Sequence, residues 1–578
     1  MKKFISTLIF LILLFFNALV NGNPVIHYIH VSSDTVGIYD KLEMQINLTA
    51  SFQNPFDPDE IDLNAIFTSP SGKQWKINGF YNYSNSESLW MVRFSPNEEG
   101  RWIYQLNVKD LDGSTTGKQK SFFVVASPFH GSVKISFNKR YLEYADGTPY
   151  YGIGLWYNDS YQAFNSGQIK RKTLDHLKNL GINFISTYMV PLETMGTGLG
   201  RYDQNFCGRL DEVLSWCEDR NMNLSLNIWF HPYLSKTVWT KGDRRWETNP
   251  YQLICNAKDF YSSNEAWAYQ EKLYRYIIAR WGYSRSLAVW FVVDEVNGTD
   301  GWMSGDSIGA NNWAQKVQNY LNANDPYHHL TTGTRSGGVN EFWSQGYQTF
   351  DLAAREIYES QGFPMNETGI ITADSISPLK LSYLNYTHEI KELWNGYEKP
   401  VIIGETGWDH TFYEPGMPGY LSWYHNALWV CLANGTAMTP FWWAYSHRLN
   451  DNIVNCQIKS FERFISGIPF SELTRVTPTD AEVSEGNAFA MKSDQIIFGW
   501  VVNPKMDVSG ATVTVRSIPV GEYTLKIYHT WDGKFISEDT VICAAGSVTF
   551  KLPVLHIEDY HAHYLGQDAA FVLIPVNK

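Results

Sequence analysis

Cysteine is scarce in this chain: six in 578 residues, at Cys207, Cys217, Cys255, Cys431, Cys456 and Cys543, with no CxxC and no zinc-ligand spacing. That excludes a thioredoxin-type redox centre, a zinc ribbon and a small disulfide-stapled scaffold. Cys207 and Cys217 are one candidate pair in an oxidising compartment, and isolated buried thiols are the equal alternative. His328-His329 has no third ligand at metal spacing, so no metal site is marked, and no cofactor motif is present. Charge is also sparse at 18%, and its balance is acidic, with 46 Lys+Arg against 59 Asp+Glu and a formal net charge of -13. Such a balance argues against nucleic acid and anionic polymers as general partners, and leaves room for a local basic pocket. Beyond the N-terminus no apolar run approaches the ~20 residues that a membrane span needs. There is no internal repeat and no low-complexity linker, so the domains are expected to pack closely.

Aromatic residues, by contrast, are abundant: 22 Trp, 35 Tyr and 32 Phe, or 15% of the chain. They serve either as bulk for large cores or as platforms for the apolar faces of sugar rings. With 44% hydrophobic residues the composition is globular, and the length implies two to four domains. Met1-Lys-Lys, the apolar run Phe4 to Val20 and Asn21-Gly22 have the order of a signal peptide over 1–22. Ser6, Thr7 and Asn17 interrupt the run, which disfavours a retained anchor, and no Cys follows for lipidation. A secreted or periplasmic location is expected, with no integral membrane segment after signal removal.

Residues 23–127 carry short alternating runs such as Lys41–Leu48, Leu63–Thr68, Leu89–Phe94, Gly100–Val108 and Lys120–Val125, separated by turn clusters. This spacing predicts a β-sandwich. From 128 to 475 strands and helices alternate. Strands are expected at Tyr150–Trp156, Ile182–Val190, Leu224–Phe230, Leu287–Val293, His329–Thr334, Ala353–Tyr358, Val401–Ile403 and Ala437–Trp443. Helices between and after them include Ile169–Leu180, Ala266–Arg280 and Gln457–Ser466. Eight strand signals alternating with helices predict a central (β/α)8 TIM barrel. Residues 476–578 return to strand patterns and predict a second, smaller β-sandwich.

Two glutamates sit where such a barrel places its chemistry. Glu295 follows the fourth strand in Trp290-Phe-Val-Val-Asp-Glu-Val-Asn297, and Glu405 ends the seventh in Pro400-Val-Ile-Ile-Gly-Glu-Thr-Gly-Trp408. Carboxylates at the C-terminal tips of opposed strands converge over the barrel mouth. A protonated acid facing an ionised carboxylate is what glycosidic hydrolysis requires, and proximity itself separates their proton affinities.

On these residues the chain resembles the clan GH-A glycoside hydrolases. Further likeness lies in Phe350-Asp-Leu to Tyr358, in Lys399-Pro400 with Glu405-Thr-Gly407, in Phe441-Trp442-Trp443 and in His231. The resemblance implies a retaining β-glycoside hydrolase of poly- or oligosaccharides, with Glu295 as acid/base, Glu405 as nucleophile and Tyr358 bonded to the nucleophile. It implies a sugar floor from the eighth strand. Adjacent strand residues point to opposite faces, so at most one of Trp442 and Trp443 should meet the sugar. Trp156, Trp408 and His231 are further substrate-site candidates at strand ends. Arg93-Phe-Ser-Pro to Glu99-Gly-Arg-Trp102 resembles the N-terminal immunoglobulin-like domain of multidomain enzymes from polysaccharide-degrading bacteria. Two departures concern the substrate: Asp294 stands where the clan has Asn before the acid/base, and no Arg ends the second strand. Asp294 is expected to raise the proton affinity of Glu295. The rival reading is an inactive carbohydrate-binding protein on the same fold.

Overall fold

The computed structural model describes residues 22–84, 87–157, 171–189, 191–305, 307–336, 342–358, 383–407, 420–443, 452–503, 507–555 and 567–576. The chain divides into two compact units, one of residues 1–37 with 41–126 and one of 38–40 with 127–578.

The first unit consists of antiparallel sheets. One runs in the order Val25–Val31, Leu42–Thr49, Glu87–Phe94, Phe80–Ser84; the other orders Thr35–Gly37, Lys120–Val125, Gly100–Lys109, Asp62–Thr68 and Gln74–Asn78, with Thr35–Gly37 joining parallel. Alternation drives this: Leu42, Met44 and Ile46 are buried from one sheet, and Trp102, Tyr104, Leu106 and Val108 from the other. Phe67 stacks on Phe94 across the two sheets with centroids 4.1 Å apart.

The second unit is mixed α/β. Its central strands are β1 (Gly154–Trp156), β2 (Phe184–Tyr188), β3 (Asn223–Trp229), β4 (Leu287–Val293) and β5 (Leu330–Gly333), parallel in chain order, with β6 (Ala353–Tyr358) paired parallel to β7 (Val401–Gly407). Every residue of β2, β3, β4 and β7 is buried, as expected when helices cover a parallel sheet. The helices are α1 (Arg171–Asn179), α2 (Gln204–Glu218), α3 (Asn264–Trp281), α4 (Ser307–Asn324), α5 (Ser344–Thr349), α6 (Tyr383–Gly396), α7 (Tyr420–Ala433) and α8 (Asn452–Ile465). Leu352 N–H reaches Thr331 O at 3.1 Å, a bond from β5 to the start of β6.

The expected eighth strand, Ala437–Trp443, is reduced to isolated parallel bridges: Gly152 to Met438, Leu155 to Trp442 and Thr406 to Trp442. Pro440 in its middle has no N–H to give a ladder, which explains the interruption. The segment still lies between β1 and β7, with Trp156 N–H on Trp442 O at 3.3 Å and Thr406 N–H on Phe441 O at 2.9 Å. The seventh strand runs four residues beyond the expected Ile403, to Gly407, so Glu405 is held inside it.

The same unit ends in a six-stranded sheet, Thr477–Thr479, Asn487–Lys492, Ile497–Val502, Asp568–Pro575, Gly521–His529, Lys534–Cys543, and a three-stranded one, Ala481–Val483, Thr512–Arg516, Ser547–Lys551. Val501, Val513, Val515, Leu525, Ile527 and Phe571 form part of their shared core. Asp568 ties this part to α7. It accepts from His425 Nε2 at 2.9 Å, Trp500 Nε1 at 2.8 Å, Thr530 Oγ1 at 2.8 Å and Trp531 Nε1 at 3.0 Å. The cysteines are free thiols, and the candidate pair Cys207 and Cys217 is not bonded. Both lie on α2, where ten residues of separation correspond to about 15 Å, beyond disulfide reach.

Candidate active site

The site is assembled where β3, β4, β6 and β7 end. After β4 the backbone turns sharply: Glu295 has φ 45° and ψ 57°, in the left-handed region. For a residue with a Cβ that conformation costs roughly 1–2 kcal/mol, and neighbours hold it. Glu295 N–H donates to Thr334 Oγ1 at 3.0 Å, and Val296 N–H to Thr334 O at 3.0 Å. Asn297 and Ser336 exchange two bonds, of 2.8 and 3.0 Å, through the Asn297 amide. The turn aims the Glu295 side chain at His231, whose Nδ1 lies 3.1 Å from Oε2.

Asp294 is fully buried beside it. Its Oδ1 accepts the His231 backbone N–H at 3.1 Å, and its Oδ2 lies 3.5 Å from His231 Nδ1. His231 follows β3 and packs on Trp239, with ring centroids 4.8 Å apart. Gly298 permits that packing, since a Cβ there would lie 2.6 Å from the Trp239 ring and 3.0 Å from His231. Trp239 is 39% exposed and has φ 58°. Its loop is pinned by Asp300, which accepts Thr237 N–H at 3.0 Å, and by Arg244 Nη2, which donates to Trp239 O at 2.5 Å. Arg244 therefore serves its own loop's backbone.

On the opposite wall the Tyr358 hydroxyl donates to Glu405 Oε1. Glu356 stands beside it, opposite Glu405 in the β6–β7 register. It is fully buried, and its Oε1 accepts the Thr334 hydroxyl. One oxygen from each of Glu295, Glu356 and Glu405 falls within 4.8 Å of the others. Sequence reading missed Glu356. Its signal was weak but present: it lies two residues before Tyr358, on the same strand face. The alternate face belongs to Arg355, paired with buried Glu389 on α6 at 2.8 Å.

This crowding shapes the electrostatics. Burial, then the charges of Glu356 and Asp294, hold the Glu295 carboxyl well above its ordinary range, against opposing pulls from His231 and the Ser336 hydroxyl. Burial and the neighbouring Glu405 charge raise Glu356 likewise. The Tyr358 phenol is raised by burial and by Glu405. The oxygens of Glu295, Glu356 and Glu405, or those of Asp294 and Glu295 with His231, also have the spacing of ligands to a cation.

The aromatic candidates divide. Trp443 is half-buried and stands edge-on to Trp156, with centroids 6.0 Å apart, and to Tyr188, at 6.3 Å. Trp442 faces the other way, onto Tyr424 of α7 at 5.1 Å, so it packs against a helix instead of forming a sugar floor. Trp156 is fully buried and donates Nε1–H to Gly404 O at 2.6 Å, from β1 to β7. It supports Trp443 and Tyr188 from beneath instead of offering a ring face. Trp408 lies outside the described residues.

Residues 35–109 match a family described as a domain of unknown function, DUF5060. No curated protein matches the sequence. The fold is similar to a crystal structure from Bacteroides vulgatus described as a "putative glycoside hydrolase", at TM-score 0.63 and 16% identity, covering 94% of this chain and 100% of that one. A family 5 mannosidase from Rhizomucor miehei aligns at TM-score 0.40 and 16% identity, over 55% of this chain and 86% of its own. A family 39 glycoside hydrolase from Bacteroides cellulosilyticus aligns at TM-score 0.39 and 12% identity, over 95% of this chain and 100% of its own. The first of these shares this chain's architecture along nearly its whole length.

Proposed function

We propose that the protein is a retaining β-glycoside hydrolase acting on a poly- or oligosaccharide, with Glu405 as nucleophile and Glu295 as acid/base. The observation that carries this reading is the carboxyl spacing. Glu295 and Glu405, on strands far apart in the chain, bring oxygens within 4.8 Å of each other. Retaining enzymes hold their carboxyls about 5 Å apart, whereas inverting ones leave roughly 6.5–9.5 Å for a water.

In the first step a Glu405 oxygen attacks the anomeric carbon. The bond to the leaving oxygen breaks, and that oxygen takes the Glu295 proton. In the second, water gives a proton to Glu295 and its oxygen to the anomeric carbon, which releases Glu405. The raised proton affinity of Glu295 suits the first role. Tyr358 steadies the Glu405 oxygen, and His231 with Asp294 orients Glu295. We read β1–β7 and the bridging segment 437–443 as an eight-stranded barrel closed on itself. Along the chain we read a signal peptide of residues 1–22 and an immunoglobulin-like domain over 23–127 before the barrel, and a β-sandwich over 476–578 after it. Secretion or periplasmic export from a bacterium fits a polymeric substrate.

The test is a digest of plant, algal and host glycans with product analysis by proton NMR. Initial release of the β-anomer is expected. Glu405→Gln is expected to abolish turnover. Glu295→Gln should lower kcat/KM on sugar leaving groups by about 10²–10⁴-fold, and far less on para-nitrophenyl glycosides, whose leaving group needs no proton. Azide should rescue Glu295→Ala with a β-glycosyl azide as product. Initial α-anomer would refute the retaining mechanism. Binding without turnover of any glycan would favour the inactive carbohydrate-binding alternative.

A further inference from the structure

The double-displacement chemistry proposed above uses two carboxyls, yet three meet in this site. Glu356 brings an oxygen within 4.8 Å of an oxygen of each partner. Its Oε1 accepts the Thr334 hydroxyl, whose oxygen in turn accepts Glu295 N–H at 3.0 Å. Its Oε2 is buried and has no hydrogen-bond partner among the described residues. An ionised carboxylate is an acceptor only. An ionised Glu356 could accept the Glu295 hydrogen before reaction, but that is the proton the first step gives away, and in the glycosyl-enzyme it would face an ionised Glu295 with no hydrogen to accept. A protonated carboxyl in the same place has a hydrogen to donate, and both available acceptors are carboxylate oxygens of the reacting pair.

We propose that Glu356 is a positioning residue that stays a protonated carboxylic acid throughout the catalytic cycle and donates its hydrogen bond to whichever of Glu405 and Glu295 carries the negative charge. This rests on the roles assigned to that pair above. The charge count favours it. Before reaction Glu405 is ionised and Glu295 protonated. In the glycosyl-enzyme Glu405 is an ester and Glu295 is ionised. With Glu356 neutral, the three carboxyls hold one negative charge in both states. That charge moves across the site while the Glu356 proton stays on its own oxygen. No proton or electron pair passes through Glu356; its hydroxyl only turns.

The groups facing it make a second charge costly. Glu405 and the phenol of Tyr358 lie on its own wall, and Glu295, Asp294 and Tyr188 are turned toward the same space. The basic side chain His231 faces the cluster and is engaged with Asp294 and Glu295. Burial and the Glu405 charge raise the proton affinity of Glu356, in agreement with the geometry.

The experiment compares Glu356→Gln and Glu356→Leu with wild type in the full-length protein, using para-nitrophenyl β-glycosides and full pH profiles. Glutamine keeps both the acceptor and a donor, so kcat/KM is expected within about fivefold and both limbs within about half a pH unit. Leucine removes the donor to the anion. Its kcat should fall about tenfold or more, with the acid limb moved to higher pH. A Glu356→Gln enzyme as inactive as Glu405→Gln would overturn the proposal, since Glu356 would then be needed as an anion. Wild-type profiles in both variants would also overturn it, leaving a packing role only. Infrared difference spectra of wild type minus Glu356→Gln at neutral pH give a readout free of activity. Loss of an un-ionised carboxyl band is expected, and loss of carboxylate bands instead refutes the protonated state. If wild type turns over no glycoside, the reaction assignment fails separately while the spectrum still reports on Glu356.

Discussion

At the scale of single residues, the chain places carboxyl groups where water cannot solvate them and uses that to hold protons. Glu193, in the segment after β2, is buried, and its Oε1 accepts Gly200 N–H at 2.7 Å. Desolvation nevertheless raises its carboxyl to about 8. Between its ordinary value and that one the folded state binds more protons than the unfolded state. Stability contributed by this group is therefore full below its ordinary value of 4.5 and is lost progressively as pH rises to about 8. Glu193→Gln removes the loss, so the variant's Tm should match wild type near pH 5 and exceed it by several degrees at pH 9, read by calorimetry. No difference at pH 9 would refute the buried, protonated state. Trp239 permits a second residue-scale expectation. Its exposed ring lies beside His231 and thus on the side of the proposed acid/base, where in that reading the leaving sugar would depart. Trp239→Ala should lower kcat/KM on oligosaccharides about five- to tenfold through lost ring stacking, while changing para-nitrophenyl hydrolysis little.

At the scale of elements, β6 shows how one strand serves two surfaces. Ala354, Glu356 and Tyr358 share the face of the site, while Arg355 turns outward to Glu389 on α6. Arg355 Nη1 also donates to Arg335 O at 2.9 Å, beside the Thr334 that holds Glu295. Both partners of the Arg355–Glu389 pair are buried. Removing one leaves an uncompensated charge, so Arg355→Ala is expected to lose about 3–5 kcal/mol in chemical denaturation. Arg355→Met with Glu389→Leu should lose much less. A loss below ~1 kcal/mol in the single variant would mean that water reaches the pair. The strand itself was legible in the sequence, since its boundaries are those of the expected sixth strand, Ala353–Tyr358. The inward turn of Glu356 was not. Arg355 and Glu356 are adjacent charges in an apolar run, and only the helix packed on one face decides which of them turns inward.

At the scale of the whole molecule, the C-terminal sheets are bound to the parallel strands' unit by buried polar and aromatic contacts. Asp568 collects four donors, including His425 of α7, and His425 stacks on Trp531 with centroids 4.2 Å apart. Trp429 and Phe464, on α7 and α8, pack on Tyr528. A chain ending at 475 would strip these partners from α7 and α8, and is expected to be insoluble or to lose its cooperative melt. A soluble, cooperative fragment would refute that dependence. Asp568→Asn, which keeps the volume but weakens charge-assisted bonds, should lower Tm with the site's pH profile unchanged.

The sequence by itself was sufficient for the order of strands β1 to β7, the flanking β-rich segments and the placing of Glu295 and Glu405 at strand ends, because strand length, burial on both faces and turn residues are local properties of the chain. Tertiary structure alone decided which side chains share a space. It turned Trp443 toward Trp156 and Tyr188 and Trp442 away from them, because Pro440 breaks the eighth strand's ladder and the flanking bridges set the facing. It joined Asp294 to His231, 63 residues apart. It also brought Glu356 within 4.8 Å of both Glu295 and Glu405. Proton affinity in such a cluster depends on through-space distance and desolvation, and neither is encoded at any one position of the chain.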